Sequence, residues 1–165
     1  MQRGRQLIGL PVVDPSSGRQ VAVVRSLLFD QGSGRLAALV LQKDGLLTEG
    51  KAIRISQVSA IGPDAVILLP GERPTALTDI MAEVPQAVSE EQVAGRPVLT
   101  TGGRMLGTLA DLGIDQDSGR ITELILSDGL IQDLLGGYST APACEQIIYG
   151  DEHIIVPEPG VDPAG

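Results

Sequence analysis

Leu7–Gln42 reads LIGLPVVDPSSGRQVAVVRSLLFDQGSGRLAALVLQ, and Val93–Ser127 reads VAGRPVLTTGGRMLGTLADLGIDQDSGRITELILS. With one extra residue in the first copy's turn (Ser16 or Ser17), 13 of 35 aligned pairs are identical. The identities fall on turn glycines and apolar strand positions, the places a repeated fold constrains most. The register resumes at the end of each copy, where Ile61–Pro70 lies over Ile148–Pro157 and sets His153 against Val66. One structural unit is therefore written twice. Residues 1–70 form the first repeat, 71–92 a linker, 93–158 the second repeat and 159–165 a frayed tail.

Each copy reads as a run of short strands. Pro11–Asp14 and Pro97–Thr100 each begin on a proline, which costs no ladder bond at a strand's first residue. The turns Asp14–Gly18 and Thr100–Gly103 lead into long strands, Arg19–Asp30 and Arg104–Asp115. Tight turns follow, Asp30–Gly34 and Asp115–Gly119. Asp30 and Asp115 can bond turn amides there, and Gly34 and Gly119 can take positive φ at the exit. The next strands, Arg35–Gln42 and Arg120–Ser127, carry Leu39-Val40-Leu41 and Leu124-Ile125-Leu126, apolar on both faces and so expected to be enclosed on both sides. Val58–Ile61 with Ala65–Leu69, and Gln146–Tyr149 with Glu152–Val156, close the copies.

The long strands carry shared apolar positions at Val21/Leu106, Val24/Leu109, Leu27/Leu112 and Phe29/Ile114. Two of the gaps are three residues, which strict alternation cannot place on one face. Bulges restore the facing, and are expected near Ala22–Val23 and Arg25–Ser26, and near Gly107–Thr108 and Ala110–Asp111. Coiled, bulged strands are what a small closed barrel requires. The fold class is thus all-β: two small, strongly bent barrels in tandem, packed with pseudo-twofold symmetry and joined by a short helical linker. In that linker Leu77, Ile80, Met81 and Val84 follow helical spacing between Pro74 and Pro85. Ser89-Glu90-Glu91-Gln92 has the form of a capping box and predicts one further turn. The helix is expected to lie across the barrels as a spacer.

The pattern Gly9-x-Pro11-Val12, Gly18-Arg19, Leu27-x-Phe29-Asp30-x-x-Ser33-Gly34-Arg35, Leu39-Val40-Leu41 and Ile61-Gly62-x-Asp64 resembles the PRC-barrel family. The second copy carries the match through Gly95-x-Pro97-Val98, Gly103-Arg104, Leu112-x-Ile114-Asp115-x-x-Ser118-Gly119-Arg120 and Asp151. That family includes the cytoplasmic part of the photosynthetic reaction-centre H subunit and the C-terminal domain of the ribosome-maturation factor RimM. The resemblance implies two tandem barrels that bind or assemble, and it transfers no catalytic residue. Neither a counterpart of the H subunit's transmembrane helix nor one of RimM's separate N-terminal domain is expected from these residues.

Composition narrows the function classes. The 165 residues hold 12 Lys+Arg against 21 Asp+Glu, a formal charge of −9, with one Cys, one His and no Trp. The chain is expected to be soluble and globular. A single Cys144 allows neither an internal disulfide nor a Cys-based zinc site. No apolar run reaches a bilayer-spanning length, and the N-terminus lacks the apolar core of a secretory signal. A cytoplasmic location without membrane insertion is expected. Residues 1–70 carry 8 basic and 5 acidic side chains, and 71–165 carry 4 and 16. Arg3, Arg5, Arg19 and Arg25 can present local positive charge, but the total repels phosphate backbones and anionic lipid. With three aromatics (Phe29, Tyr138, Tyr149) no base-stacking platform is expected, and direct nucleic-acid binding is disfavoured.

Little catalytic chemistry is legible. His153 lies in a closing strand and Cys144 has no identifiable acid to orient a partner. Asp115-x-Asp117-x-Gly119 begins like a calcium loop but lacks a ligand at its fifth and twelfth places, Gly119 and Leu126. No enzyme activity, metal or cofactor is expected. The candidate partner-binding residues are Leu130, Ile131, Leu134, Leu135 and Tyr138, an apolar group at helical spacing inside an acid-rich hairpin. The reading is a non-enzymatic protein-interaction or scaffold module, its partner unnamed and dimerisation of the chain left open. Two alternatives stand beside it: a ribosome-assembly role through a basic ribosomal protein, and a small-ligand site in a barrel mouth.

Overall fold

In the first half, β1 (Gln2–Arg3) and a 3-10 turn at Gly4–Gln6 precede β2 (Pro11–Asp14), β3 (Arg19–Asp30) and β4 (Arg35–Leu41). Then come β5 (Lys51–Arg54), β6 (Val58–Ile61) and β7 (Val66–Leu68). Between the halves lie β8 (Thr75–Ala76), α1 (Leu77–Glu83), β9 (Ala87–Ser89) and α2 (Glu90–Val93). The second half holds β10 (Pro97–Thr100), β11 (Met105–Ile114), β12 (Ile121–Ser127), β13 (Ser139–Pro142), β14 (Ile148–Tyr149) and β15 (Ile154–Val156). This computed structural model describes residues 2–43, 45, 49–127, 139–143 and 146–158.

Two curled sheets result. One runs β6-β7-β2-β3-β4-β5-β8 with β9 added on β3, and the other runs β13-β12-β11-β10-β15-β14 with β1 added on β11. Both long strands are bulged. Val12 faces Ala22 and Val13 faces Gln20, which leaves Val21 extra; Val24 faces Leu41 and Ser26 faces Val40, which leaves Arg25 extra. Leu106 and Ala110 are the extra residues of β11. The bulges at Arg25 and Ala110 fall where the apolar spacing places them. The other two come one residue early, and Val21 itself is the bulged residue. It therefore turns out of the ladder and stands 39% exposed instead of facing the core.

The two halves close each other. β1, the leader of the first repeat, pairs with β11 of the second (Gln2 with Ile114, Arg3 with Gly113). β9, the leader of the second repeat, pairs with β3 of the first (Val88 with Phe29, Ser89 with Leu28). These are the same positions under the repeat alignment, so the exchange obeys a pseudo-twofold axis. The axis passes through the two equivalent hairpin turns. Leu36 N–H donates to the Gly119 carbonyl at 2.7 Å, Ile121 N–H donates to the Gly34 carbonyl at 2.8 Å, and Arg35 bridges Arg120 antiparallel. Gly34 and Gly119 have φ of +69° and +73°, a left-handed conformation that turns the carbonyls across the axis and that a side chain would strain.

A single aliphatic cluster fills both barrels. Leu27, Leu39 and Ile53 from the first half join Leu112, Leu124 and Ile154 from the second through Phe29, Leu36 and Val93. The Phe29 ring meets Tyr149 edge-on at 5.0 Å, an aromatic contact between halves. β4 is buried on both faces, with Leu39 and Leu41 inside and Ala38 and Val40 outside. α1 covers that outer face by seating Ile80 on Leu28, Ala38, Val40 and Ala52. It therefore packs on the first half alone and not across the barrels, and Met81 of its expected apolar stripe is 45% exposed. Arg54 ties α1 down through two bonds to Glu83, at 2.8 and 2.6 Å.

Parallel pairing corrects the sequence alignment at its end. Val66 pairs with Val12 and Ile154 pairs with Val98, so Ile154, not His153, is the equivalent of Val66. The ladder selects the aliphatic residue for the buried position, and His153 stands exposed just ahead of β15. The predicted turn after Ser89 forms as α2, but Ser89 makes no cap bond. Its hydroxyl lies 3.4 Å from that of Ser26 instead.

The two leader junctions carry opposite charges. Arg5 donates its amide to Asp111 at 3.2 Å and sets its guanidinium 3.6 Å away, whereas the equivalent Glu91 pairs with Arg25 at 3.3 Å. Glu90 sits between these corners. Burial, with the charges of Asp111 and Glu91, pushes its carboxyl above the ordinary glutamate value. The ionised form is thus disfavoured in the folded state, which costs stability above the unfolded pKa and recovers it as pH falls. Glu90→Gln is expected to melt higher than wild type near neutral pH. The gain should shrink to nothing as pH drops through the carboxylate range, read by calorimetry of both proteins in parallel.

Candidate functional site

The five residues singled out for partner binding, Leu130, Ile131, Leu134, Leu135 and Tyr138, lie outside the described residues, as does Cys144. The four turn residues lie together at the pseudo-axis. Asp30 accepts the Gly32 amide at 3.0 Å, and Asp115 accepts those of Asp117 and Ser118 at 2.8 and 3.3 Å. These amides hold Asp115 below its ordinary carboxylate value. Among the described residues, no group of three His, Cys, Asp or Glu side chains is placed to hold a metal.

A groove at the rim of the first barrel is the candidate surface. It encloses about 630 Å3 between the β2–β3 turn and the segment after β7, and runs on into a smaller recess of about 140 Å3 beside β4 and β5. Its floor carries Val21, Ala22, Leu41 and Pro74, and its walls carry Arg19, Lys43, Lys51 and Arg73. None of these four cations has an acidic oxygen within 4 Å among the described residues. All four are exposed.

Three carboxylates share the groove, Asp14, Glu49 and Glu72, and two of them hold hydrogen bonds within the protein. Asp14 accepts from Ser16 N–H at 3.1 Å and from the Ser16 and Ser17 hydroxyls at 2.8 and 3.1 Å. Those bonds lower its pKa. Glu72 accepts the Gln57 side-chain amide at 2.9 Å. The bulge that turns Val21 outward supplies the floor, so one irregularity both bends the strand and shapes the groove.

The second barrel closes the corresponding rim on itself. Glu158, two residues past β15, pairs with Arg104 at 3.1 Å and accepts the Gly102 amide at 3.2 Å. The place two residues past β7 holds Pro70, followed by Gly71, which leaves Arg19 without such a partner. Sequence reading singled out Arg19 but not Lys43, Lys51 or Arg73. The signal was the basic excess of residues 1–70, and the strands that gather these side chains were not all legible.

Paired curled sheets with an aliphatic interior and a polar outer rim define a tandem small-barrel architecture. The family model described as PRC-barrel domain matches residues 1–72 and again 88–162. The chain belongs to the PRC-barrel family, whose domains are known as protein-interaction modules. No curated protein matches the chain. Among the described residues, no helix is long and apolar enough to cross a membrane.

Proposed function

We propose that this chain is a non-catalytic module that recognises a protein partner through the outer surface of its two barrels. One observation carries the reading: the interiors of both barrels are filled by one continuous aliphatic cluster. Packed side chains occupy the space a ligand would take inside, so recognition falls to the rims and the outer faces. A cytoplasmic setting and dimerisation of the whole chain belong to the same proposal. So does the division into repeats at 1–70 and 93–158 with a 71–92 linker.

The apolar residues Leu130, Ile131, Leu134, Leu135 and Tyr138 remain a proposed contact on sequence grounds, since acids flank them. The test is affinity purification of the tagged protein from its own cells, with wild type beside Leu134→Asp/Leu135→Asp. Loss of the captured partner by the variant supports that contact. An unchanged partner set removes it as the site.

A further inference from the structure

We propose that the rim groove of the first barrel binds an acidic peptide segment of a partner protein. The proposal rests on the interaction-module reading and gives it a site and a chemistry. In a chain of charge −9, four of the 12 Lys and Arg residues line one recess without an ion-pair partner among the described residues. Of the three carboxylates on the same walls, Asp14 and Glu72 already accept hydrogen bonds from the protein, and with Glu49 counted the cations still outnumber the carboxylates.

The repeat supplies an internal control. The second barrel has the same turn arginine, Arg104, and neutralises it with Glu158. The Lys43 position is Asp128 in the aligned sequence, and strand pairing sets Ser139 where the first half has Lys51. Two copies of one fold thus differ at one rim: the first lacks a counterpart of Glu158 and gains Lys51, while it carries Asp14 where the second has Thr100.

The layout of the cations selects an extended ligand. Arg19 opens β3, while Lys51 lies level with the Val24–Leu41 pair, one step beyond Val40–Ala52. At about 3.3 Å per residue they are separated by on the order of 15 Å of strand, which spreads the cations along the groove. A peptide running along the groove meets them in turn. Its apolar side chains can rest on Val21 and Pro74. A bilayer or a polynucleotide would bring further negative charge against the acidic remainder of the surface, which a segment confined to the groove avoids.

The test uses the full chain and a fluorescein-labelled peptide rich in Glu, Asp and Leu, followed by fluorescence anisotropy. Wild type is expected to bind with an affinity that falls as salt rises. Lys51→Glu/Arg73→Glu should weaken binding roughly tenfold or more, while Arg104→Ala leaves it unchanged. Thermal melts confirm that each variant is folded. Absence of binding by wild type, indifference to the double variant, or equal weakening by Arg104→Ala overturns the proposal. Phosphatidylglycerol vesicles that bind where the peptide does not also overturn it, in favour of a lipid surface. The same double variant is compared with wild type in the capture experiment above. Retention of the natural partner overturns the groove and leaves the module reading standing, whereas failure of wild type to capture any protein counts against the module itself.

Discussion

Expressed alone, residues 93–158 are expected to give no cooperative thermal transition and a collapsed, poorly dispersed amide spectrum. The isolated stretch loses β1 from the edge of β11, along with the Gln2–Ile114 and Arg3–Gly113 pairs. It loses both backbone bonds at the pseudo-axis. It also exposes Leu112, Leu124 and Ile154, whose cluster is completed by Phe29 and Leu36 of the other half. A unit of this size buries only about 60% of its unfolded surface even when intact and is marginal by itself. Residues 1–92 supplied as a separate chain should restore a single transition, because they bring the leader strand and the missing core together. A sharp melt from 93–158 alone, near that of the whole protein, would contradict mutual closure.

The second large effect is expected at Phe29. Its side chain is 1% exposed and its ring meets Tyr149 across the halves. Phe29→Ala should cost about 3–5 kcal/mol through lost burial and a cavity that curled sheet on either side cannot collapse into. Against a typical stability of about 5–15 kcal/mol, that is a large fraction, and the melting temperature should fall by roughly 10 °C or more. Phe29→Leu keeps most of the buried volume and should lose far less. Denaturant melts of the three proteins check both values. Equal stability of the alanine variant and wild type would show that the junction is not where the halves are held.

The hairpins and the repeat were legible because they rest on residue types with one local meaning. Asp30 and Asp115 bond turn amides, and Gly34 and Gly119 supply positive φ, whatever surrounds them. The bend of the long strands was also legible, since apolar gaps of three residues force an extra residue into the ladder. The exchange of leaders was not. Gln2–Arg3 and Ala87–Ser89 are too short and too mixed to show alternation, and their pairing depends wholly on the opposite half. β5 was missed because Ala52 and Ile53 are adjacent and both buried, one under α1 and one in the shared core. The path of α1 was misjudged for a related reason: spacing shows which face is apolar but not which sheet receives it. The candidate groove was only half visible. Arg19 sits beside a turn that reads clearly, whereas Lys51 and Arg73 reach the same recess through β5 and the segment after β7, a proximity that only the closed sheet creates.

The swapped leaders also bear on how such a molecule comes to exist. A chain holding one copy would have an open edge and a spare strand, and an identical neighbour could satisfy both, so its folding would depend on how much of it was present. Joining two copies makes that encounter intramolecular, at an effective concentration in the millimolar range for a short tether. The two sites are then free to diverge. The reversed charges of Arg5 with Asp111 and Glu91 with Arg25 are one mark of that freedom, since a strictly symmetric pair of identical chains would have to carry the same residues at both corners.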